Sequence, residues 1–206
     1  MRFLLISLLV PLLLQACSPA TTKGMTEQRS AVATVNNPYF SRTDVDYLYK
    51  MNIQFGDRNF GGLLVVKKLD DQRHRVVLMG EMGNKFLDLT MGQGRTVKNF
   101  AIPELDKRPL IHVLGTDLTM MVHENVPVRG EFEADGTAVF LSRQGEGRQY
   151  LFFARPTGEL QRVVRRGYGK ERVELKFTPG AEGSASHITI THLTRPLTID
   201  LDRINN

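Results

Sequence analysis

The sequence lacks tryptophan altogether and contains a single cysteine, Cys17. One cysteine excludes a disulfide within one molecule, and it excludes the cysteine clusters that hold structural zinc. The apolar run at the N-terminus, Phe3–Leu14, is interrupted by Ser7 and Pro11. It is shorter than the roughly 20 residues that a bilayer-spanning helix needs. The sequence therefore predicts neither a disulfide scaffold nor a transmembrane helix.

Recognisable catalytic motifs are missing as well. There is no HExxH pair, no GxSxG elbow and no phosphate-binding glycine loop. Asp70 and Asp71 fall between two predicted strands, which is typical of a solvated hairpin turn rather than of paired catalytic carboxylates. The five histidines are dispersed, at His74, His112, His123, His187 and His192. We predict no enzyme, no metal site and no cofactor.

The net charge of +5 is spread along the chain, because acidic and basic residues alternate through most of it. A nucleic-acid partner would require a gathered basic patch with interleaved aromatics, so we predict none. One basic cluster occurs late, at Arg162, Arg165, Arg166, Lys170 and Arg172. Such a cluster is either an ordinary solvated face or, on a membrane-tethered protein, a contact for acidic lipid headgroups.

The N-terminus has the features of an export signal, with Arg2 before a short apolar run. The segment Leu14–Cys17 resembles the lipobox of bacterial lipoproteins, in which the cysteine is acylated. We therefore predict a signal peptide over residues 1–16, lipidation of Cys17, and membrane attachment through this N-terminal lipid. Ser18 after the cysteine favours the outer membrane, facing the periplasm.

Residues 17–37 are rich in small and polar side chains and show no sustained apolar period, which predicts a flexible tether. The strand-like pattern begins at Tyr47, where apolar and polar residues alternate up to Phe55. Short segments of this kind recur every ten to twelve residues or so, separated by Gly, Asp and Asn turns. About eleven strands in an antiparallel meander are predicted, within one domain over residues 38–206.

One segment, Pro109–His123, has apolar residues at spacings of three and four, which predicts an amphipathic helix. We expect a mainly β (α+β) fold in which a curved antiparallel sheet or half-barrel is covered on its concave face by one or two helices. The sequence supplies many methionines and phenylalanines that can fill the interior of this fold. They favour either an ordinary packed core or a pliable pocket for an apolar ligand.

This arrangement resembles the LolA/LolB-like family of bacterial lipoprotein carriers and receptors. The resemblance rests on Leu14–Cys17, on the opening hairpin YLYKMNIQFGDRNFGGLLVVKKL, on the helix at Pro109–His123, and on the terminal strands ELQRVVRRG, ERVELKFTP and HITITHL. It implies an open antiparallel half-barrel, a helical lid and an acyl-binding cavity. It also implies a membrane-inserting apolar loop, which no segment of the sequence identifies.

The resemblance further implies a set of cavity-lining residues on the first long strand and on the lid, namely Met51, Ile53, Phe55, Leu114, Leu118 and Met121. The function it suggests is that of a membrane-anchored lipoprotein that binds an acyl chain or lipoprotein in transport or outer-membrane assembly. The alternative is a structural lipoprotein that binds other envelope proteins and has a solidly packed core.

Overall fold

The structure, a computed structural model, describes residues 20–92, 94–144 and 147–204. Alternation of apolar and polar side chains, broken by turn residues, makes most of this chain β-strand. The strands are β1 (Thr26–Gln28), β2 (Thr34–Val35), β3 (Asp46–Phe55), β4 (Arg58–Asp70), β5 (Arg73–Met79), β6 (Lys85–Gly92), β7 (Arg95–Ala101), β8 (Val126–Pro127), β9 (Gly130–Ala134), β10 (Thr137–Gln144), β11 (Gly147–Ala154), β12 (Leu160–Gly167), β13 (Lys170–Pro179), β14 (Ala185–His192) and β15 (Leu197–Arg203). The α-helix of the described residues is α1 (Arg108–Val122), and short 3-10 turns lie at Ala20–Thr22, Pro38–Phe40 and Ala181–Gly183.

Thirteen strands form one antiparallel sheet in the order β1-β9-β10-β11-β12-β13-β14-β15-β3-β4-β5-β6-β7. Its outer strands, β1 and β7, do not pair with each other, so the sheet is open rather than closed into a barrel. The last strand, β15, pairs with the first long strand, β3, and places Leu201 opposite Met51. The predicted class, a mainly β half-barrel with a helix against it, is confirmed.

All eleven strands predicted from the sequence are present, as β3–β7 and β10–β15. The predicted helix begins and ends one residue earlier than expected. Two strands of the sheet, β1 and β9, were not predicted from the sequence. In β9 the inward-facing side chain is that of Glu131 and not an apolar one. Glu131 is buried, and its Oε1 lies 2.9 Å from Nη2 of Arg155. Alternation is therefore absent there, although the backbone pairs with β10.

The inner face of the sheet carries the main core. Tyr49, Leu64 and Val76 are fully buried in it, together with Ile190 from β14. Helix α1 and the turn at Pro38–Phe40 cover this face, with Phe40 completely buried. A smaller cluster lies on the opposite face of the sheet and consists of Val139, Tyr150, Phe152 and Val164.

The segment predicted as a flexible tether, residues 17–37, is partly held against the domain. Within it, β1 pairs with β9, and Met25 packs against the smaller cluster. The Thr21 hydroxyl donates to a Glu171 carboxylate oxygen at 2.5 Å. The small polar residues of this segment do not reveal that its partners lie more than a hundred positions away in the sequence. Composition alone therefore predicted a free linker. The signal peptide and Cys17 lie outside the described residues.

Candidate functional site

Helix α1 lies beside the edge of the sheet formed by β6 and β7. Pro109 stands in its first turn, where the missing backbone N–H costs no hydrogen bond. Gly115 allows close approach to β7, because a Cβ atom there would lie 3.0 Å from Thr96 Cγ2. The absence of a side chain at this position therefore sets the distance between the helix and the edge strand.

An open cavity of about 940 Å³ lies between α1 and this edge of the sheet. Met91, Ile111 and Val122 give it an apolar wall. Its volume is at the upper end of the range of roughly 300–1,000 Å³ that is usual for small-molecule sites. Glycines and threonines supply much of the remaining wall, at Gly92, Gly94, Thr96, Gly115, Thr116 and Thr119.

Two exposed arginines, Arg95 and Arg108, are among the residues that line the cavity. Neither arginine takes part in an ion pair within the described residues, whereas the neighbouring Lys98 is paired with Asp106. Two guanidinium groups without a carboxylate partner suit a carboxylate or phosphate group of a bound molecule, since both anions accept paired hydrogen bonds from arginine.

A buried ion pair lies at the end of the cavity where α1 finishes. Lys68 Nζ is 2.7 Å from Glu124 Oε2, and the two side chains are only 9% and 10% exposed. His74 is beside them, with Nε2 3.0 Å from the carbonyl oxygen of Phe40 and 3.8 Å from Glu124 Oε1. Because a carbonyl can only accept, this geometry makes Nε2 the protonated nitrogen of His74.

Two histidines that line the cavity are kept neutral by burial. Desolvation lowers the pKa of His74 below its ordinary value of 6.5, and the nearby Lys68 charge acts in the same direction. Desolvation also lowers the pKa of His123, and His74 adds a repulsive contribution. Near neutral pH, both side chains therefore offer uncharged imidazoles to this end of the cavity.

A second buried polar pair fixes the helix to the sheet on its other side. Asp117 is completely buried in the middle of α1, and its Oδ2 lies 2.7 Å from Nε2 of His192 on β14. A carboxylate and an imidazole so far from solvent stabilise each other, and neither is tolerated there without the other. The pair fixes the rotation of α1 about its own axis.

The six residues predicted to line an acyl-binding cavity lie on β3 and on α1. Met51, Leu114, Leu118 and Met121 are between 0% and 6% exposed and belong to the main core. Ile53 is half-buried at the edge of that core, and Phe55 is 51% exposed near a turn. None of the six is among the residues that line the cavity described here.

The neighbouring stripe of the same helix lines the cavity instead, through Ile111, Gly115 and Thr119 at a spacing of four. The sequence prediction did not include this stripe, because the resemblance implied apolar residues as the cavity lining, and glycine and threonine do not have that character. The available signal was a run of small residues beside an apolar stripe, since small side chains leave room between a helix and a sheet.

Two kinds of feature, a metal-binding group and a membrane-spanning helix, are absent from the residues that the structure describes. Across residues 20–92, 94–144 and 147–204, no three His, Cys, Asp or Glu side chains are grouped so that they could hold a metal ion. In the same part of the chain, no helix has both the length and the hydrophobicity needed to cross a membrane.

The open sheet with a helix at its edge is similar to the fold of one solved structure in particular. A LolA superfamily protein from Nitrosomonas europaea matches with a TM-score of 0.53 over 85% of this chain and 93% of its own, at 11% sequence identity. The LolA/LolB-like architecture expected from the resemblance is therefore confirmed at the level of the fold.

Two further solved structures have weaker similarity. A DUF1329 family protein from Desulfovibrio piger gives a TM-score of 0.44 at 10% identity, covering 78% of this chain and 84% of that one. A domain from Vibrio parahaemolyticus that is described as an outer membrane lipoprotein-sorting protein domain gives 0.46 at 8% identity, covering 78% and 83%. The sequence matches no protein-family model and no curated protein.

Proposed function

We propose that this protein is a lipid-anchored protein of the bacterial cell envelope that binds an acyl chain between α1 and the β6–β7 edge. The observation that carries the proposal is the open cavity of about 940 Å³ at this place in a LolA-like fold. No enzymatic step is part of it.

The driving force is burial of hydrocarbon. Each methylene moved from water into an apolar site contributes about 0.8 kcal/mol, so a long chain needs little polar recognition. Met91, Ile111 and Val122 provide apolar contacts, and Arg95 and Arg108, which line the same cavity, can pair with an anionic headgroup. The ligand class is therefore a fatty acid or the acyl part of an anionic lipid or lipoprotein.

Attachment to the membrane belongs to the same proposal. Residues 1–16 direct export, Cys17 is acylated, and the domain faces the periplasm from the outer membrane. Only a few residues separate Cys17 from Thr21, which is bonded to Glu171, so the domain is held close to the bilayer. A protein that takes up an acyl chain from a membrane gains from this proximity.

The fold also offers a candidate for the membrane-inserting loop. Met82, at the turn between β5 and β6, is 96% exposed, the highest value among the large apolar side chains of the described residues. Methionine is flexible and apolar, so it can enter a lipid layer without a fixed partner. We propose that this turn inserts into the surface of the bilayer.

Binding of a fluorescent long-chain fatty acid to the purified protein tests the proposal. We expect saturable binding that Thr119→Phe weakens at least several-fold, because the new ring occupies the cavity that Thr119 lines. The matched control is Thr178→Phe on exposed β13 surface, which should bind as the parent does. Equal binding by both variants, or none by the parent, would exclude this site.

A second function is favoured by the edge strand β7. Residues 95–100 are all exposed, and Val97 and Phe100 are 55% and 43% accessible. An uncovered strand edge can pair with a strand of another protein. If the parent protein does not bind the fatty acid, an interaction lipoprotein that recruits an envelope partner along β7 becomes the better account.

A further inference from the structure

The turn between β12 and β13 has an unusual residue at its tip. Tyr168 and Gly169 have φ values of +51° and +77°, so both central residues are in the left-handed region. Asn-Gly or Gly-Gly is the ordinary choice for such a turn, and a bulky side chain there is strained. Tyr168 is nevertheless 88% exposed, so contacts within the protein do not explain why it is there.

Two arginines brace this turn from its flanking strands. Arg166 Nη2 donates to the carbonyl oxygen of Gly169 at 2.6 Å, and Arg172 Nε donates to that of Gly167 at 3.2 Å. The guanidinium of Arg172 also lies 5.7 Å from the centre of the Tyr168 ring. The backbone of the turn is therefore braced from both strands, and Arg172 lies beside the exposed ring.

The same turn concentrates positive charge. Arg165, Arg166, Lys170 and Arg172 lie within eight positions of one another, and none of them is in an ion pair within the part of the chain that the structure describes. The one carboxylate among them, on Glu171, accepts the Thr21 hydroxyl. We call residues 165–172 the basic hairpin.

The N-terminal segment meets the domain at the basic hairpin. Three residues lie between the predicted acylation site, Cys17, and Thr21, and the four steps from one Cα atom to the next span at most about 14 Å. Because the sheet is antiparallel throughout, the turns β12–β13, β14–β15, β3–β4 and β5–β6 all lie at one end of it. Met82 is therefore at the same end as Tyr168.

We propose that the basic hairpin is a binding site for the headgroups of anionic phospholipids, which orients the domain on the bilayer beside its anchor. Lysine and arginine near an anionic surface are attracted to it, and tyrosine prefers the headgroup level of a membrane. The inference rests on membrane attachment through the N-terminal segment, but it does not rest on acyl binding in the cavity.

The absence of tryptophan allows a direct test. The full chain carrying Tyr168→Trp has one indole, at the tip of the hairpin, and Leu69→Trp has one at the opposite end of the sheet. Each chain is reconstituted into vesicles of phosphatidylglycerol and phosphatidylethanolamine, or of phosphatidylcholine alone. Emission and quenching by brominated phospholipid are then compared.

We expect Trp emission at position 168 to shift to shorter wavelength and to be quenched in the anionic vesicles only, with the effect lost at high salt. The indole at position 69 should show neither change. Equal signals at position 168 in both kinds of vesicle would overturn the proposal, as would quenching at position 69 alone. Fatty-acid binding is measured separately, so failure of one proposal leaves the other standing.

Charge reversal separates headgroup binding from simple proximity to the anchor. In the Tyr168→Trp chain, Lys170→Glu should reduce quenching in anionic vesicles several-fold, whereas Lys50→Glu, an equal change at another exposed lysine, should leave it unaltered. If both reversals act equally, the hairpin has no specific role. Lys170→Gln, a milder change, should give an intermediate loss and serves if the glutamate variant does not accumulate.

Discussion

Individual buried polar residues make the helix side of this fold sensitive to pH. The pKa of His74 is lowered in the folded protein, so at pH above its ordinary value of 6.5 the side chain is neutral in both states. As the pH falls below 6.5, the unfolded chain takes up a proton that the folded chain resists. The stability associated with His74 is therefore complete above pH 6.5 and decreases below it.

We expect the free energy of unfolding to fall between pH 7 and pH 5, with His74 contributing on the order of 1 kcal/mol. His74→Gln keeps a donor near the Phe40 carbonyl but cannot titrate, so it should reduce this fall. The measurement is urea unfolding followed by circular dichroism at both pH values. His112→Gln, which removes an exposed histidine of α1, should keep the parental difference; a full difference in His74→Gln would contradict the assignment.

The Asp117–His192 pair gives a second prediction at this scale. Asp117→Ala leaves an imidazole buried beside an apolar methyl group, and we expect a loss of about 3–5 kcal/mol in the free energy of unfolding. Asp117→Asn retains an acceptor for His192 and should cost clearly less. Urea unfolding of the three proteins measures both effects. A loss below about 1 kcal/mol for the alanine variant would mean that the pair does not hold α1 to β14.

Among the secondary-structure elements, α1 shows how far sequence reasoning reaches. The spacing of Leu114, Leu118 and Met121 correctly gave a helix with this face buried, because hydrophobic burial follows the helical period. The placement of a ligand on that face came from the family resemblance and not from the helical period, and it remains a prediction. The cavity is beside the stripe of Ile111, Gly115 and Thr119, and small residues carry no hydrophobic signal.

Strands could be predicted from the sequence where one of their faces is apolar. They could not be predicted where only backbone pairing with another strand defines them. In β3 and β14 the buried positions alternate and are mostly apolar, so the period of two marks them. In β1 all three residues are exposed, and its strand exists because its backbone pairs with β9 about a hundred residues further on. Such pairing leaves no trace in local composition.

The contact between α1 and β7 can be tested by a substitution at Gly115 whose effect on stability changes sign with the residue at position 96. Gly115→Ala should gain up to about 1 kcal/mol in helix propensity, but its Cβ meets Thr96 Cγ2 at 3.0 Å. We expect a net loss of stability in the parent chain and a net gain in a Thr96→Ala background. A double-mutant cycle of unfolding free energies measures this coupling. Additive effects would show that the helix is free to move away.

At the scale of the whole molecule, the strand order predicts that the C-terminal strand contributes more to stability than the N-terminal strand. β15 lies in the middle of the sheet, between β14 and β3, although it is the last strand of the chain. It contributes Ile199 and Leu201, which are 3% and 0% exposed, to the main core. β1 is an outer strand with no buried residue.

Removal of segments of similar length from each end should therefore have opposite outcomes. A chain that ends at Thr194 lacks β15, so β3 and β14 lose their common neighbour and the two halves of the sheet are separated. We expect this chain to show neither cooperative unfolding nor protection of β3 amides in hydrogen exchange. Without residues 20–28 the sheet loses only an edge strand and the cover that Met25 gives to the smaller cluster. That chain should still unfold cooperatively, with reduced stability. Cooperative unfolding of the chain without β15 would mean that the strands from β3 to β7 and those from β9 to β14 are stable without a continuous sheet between them.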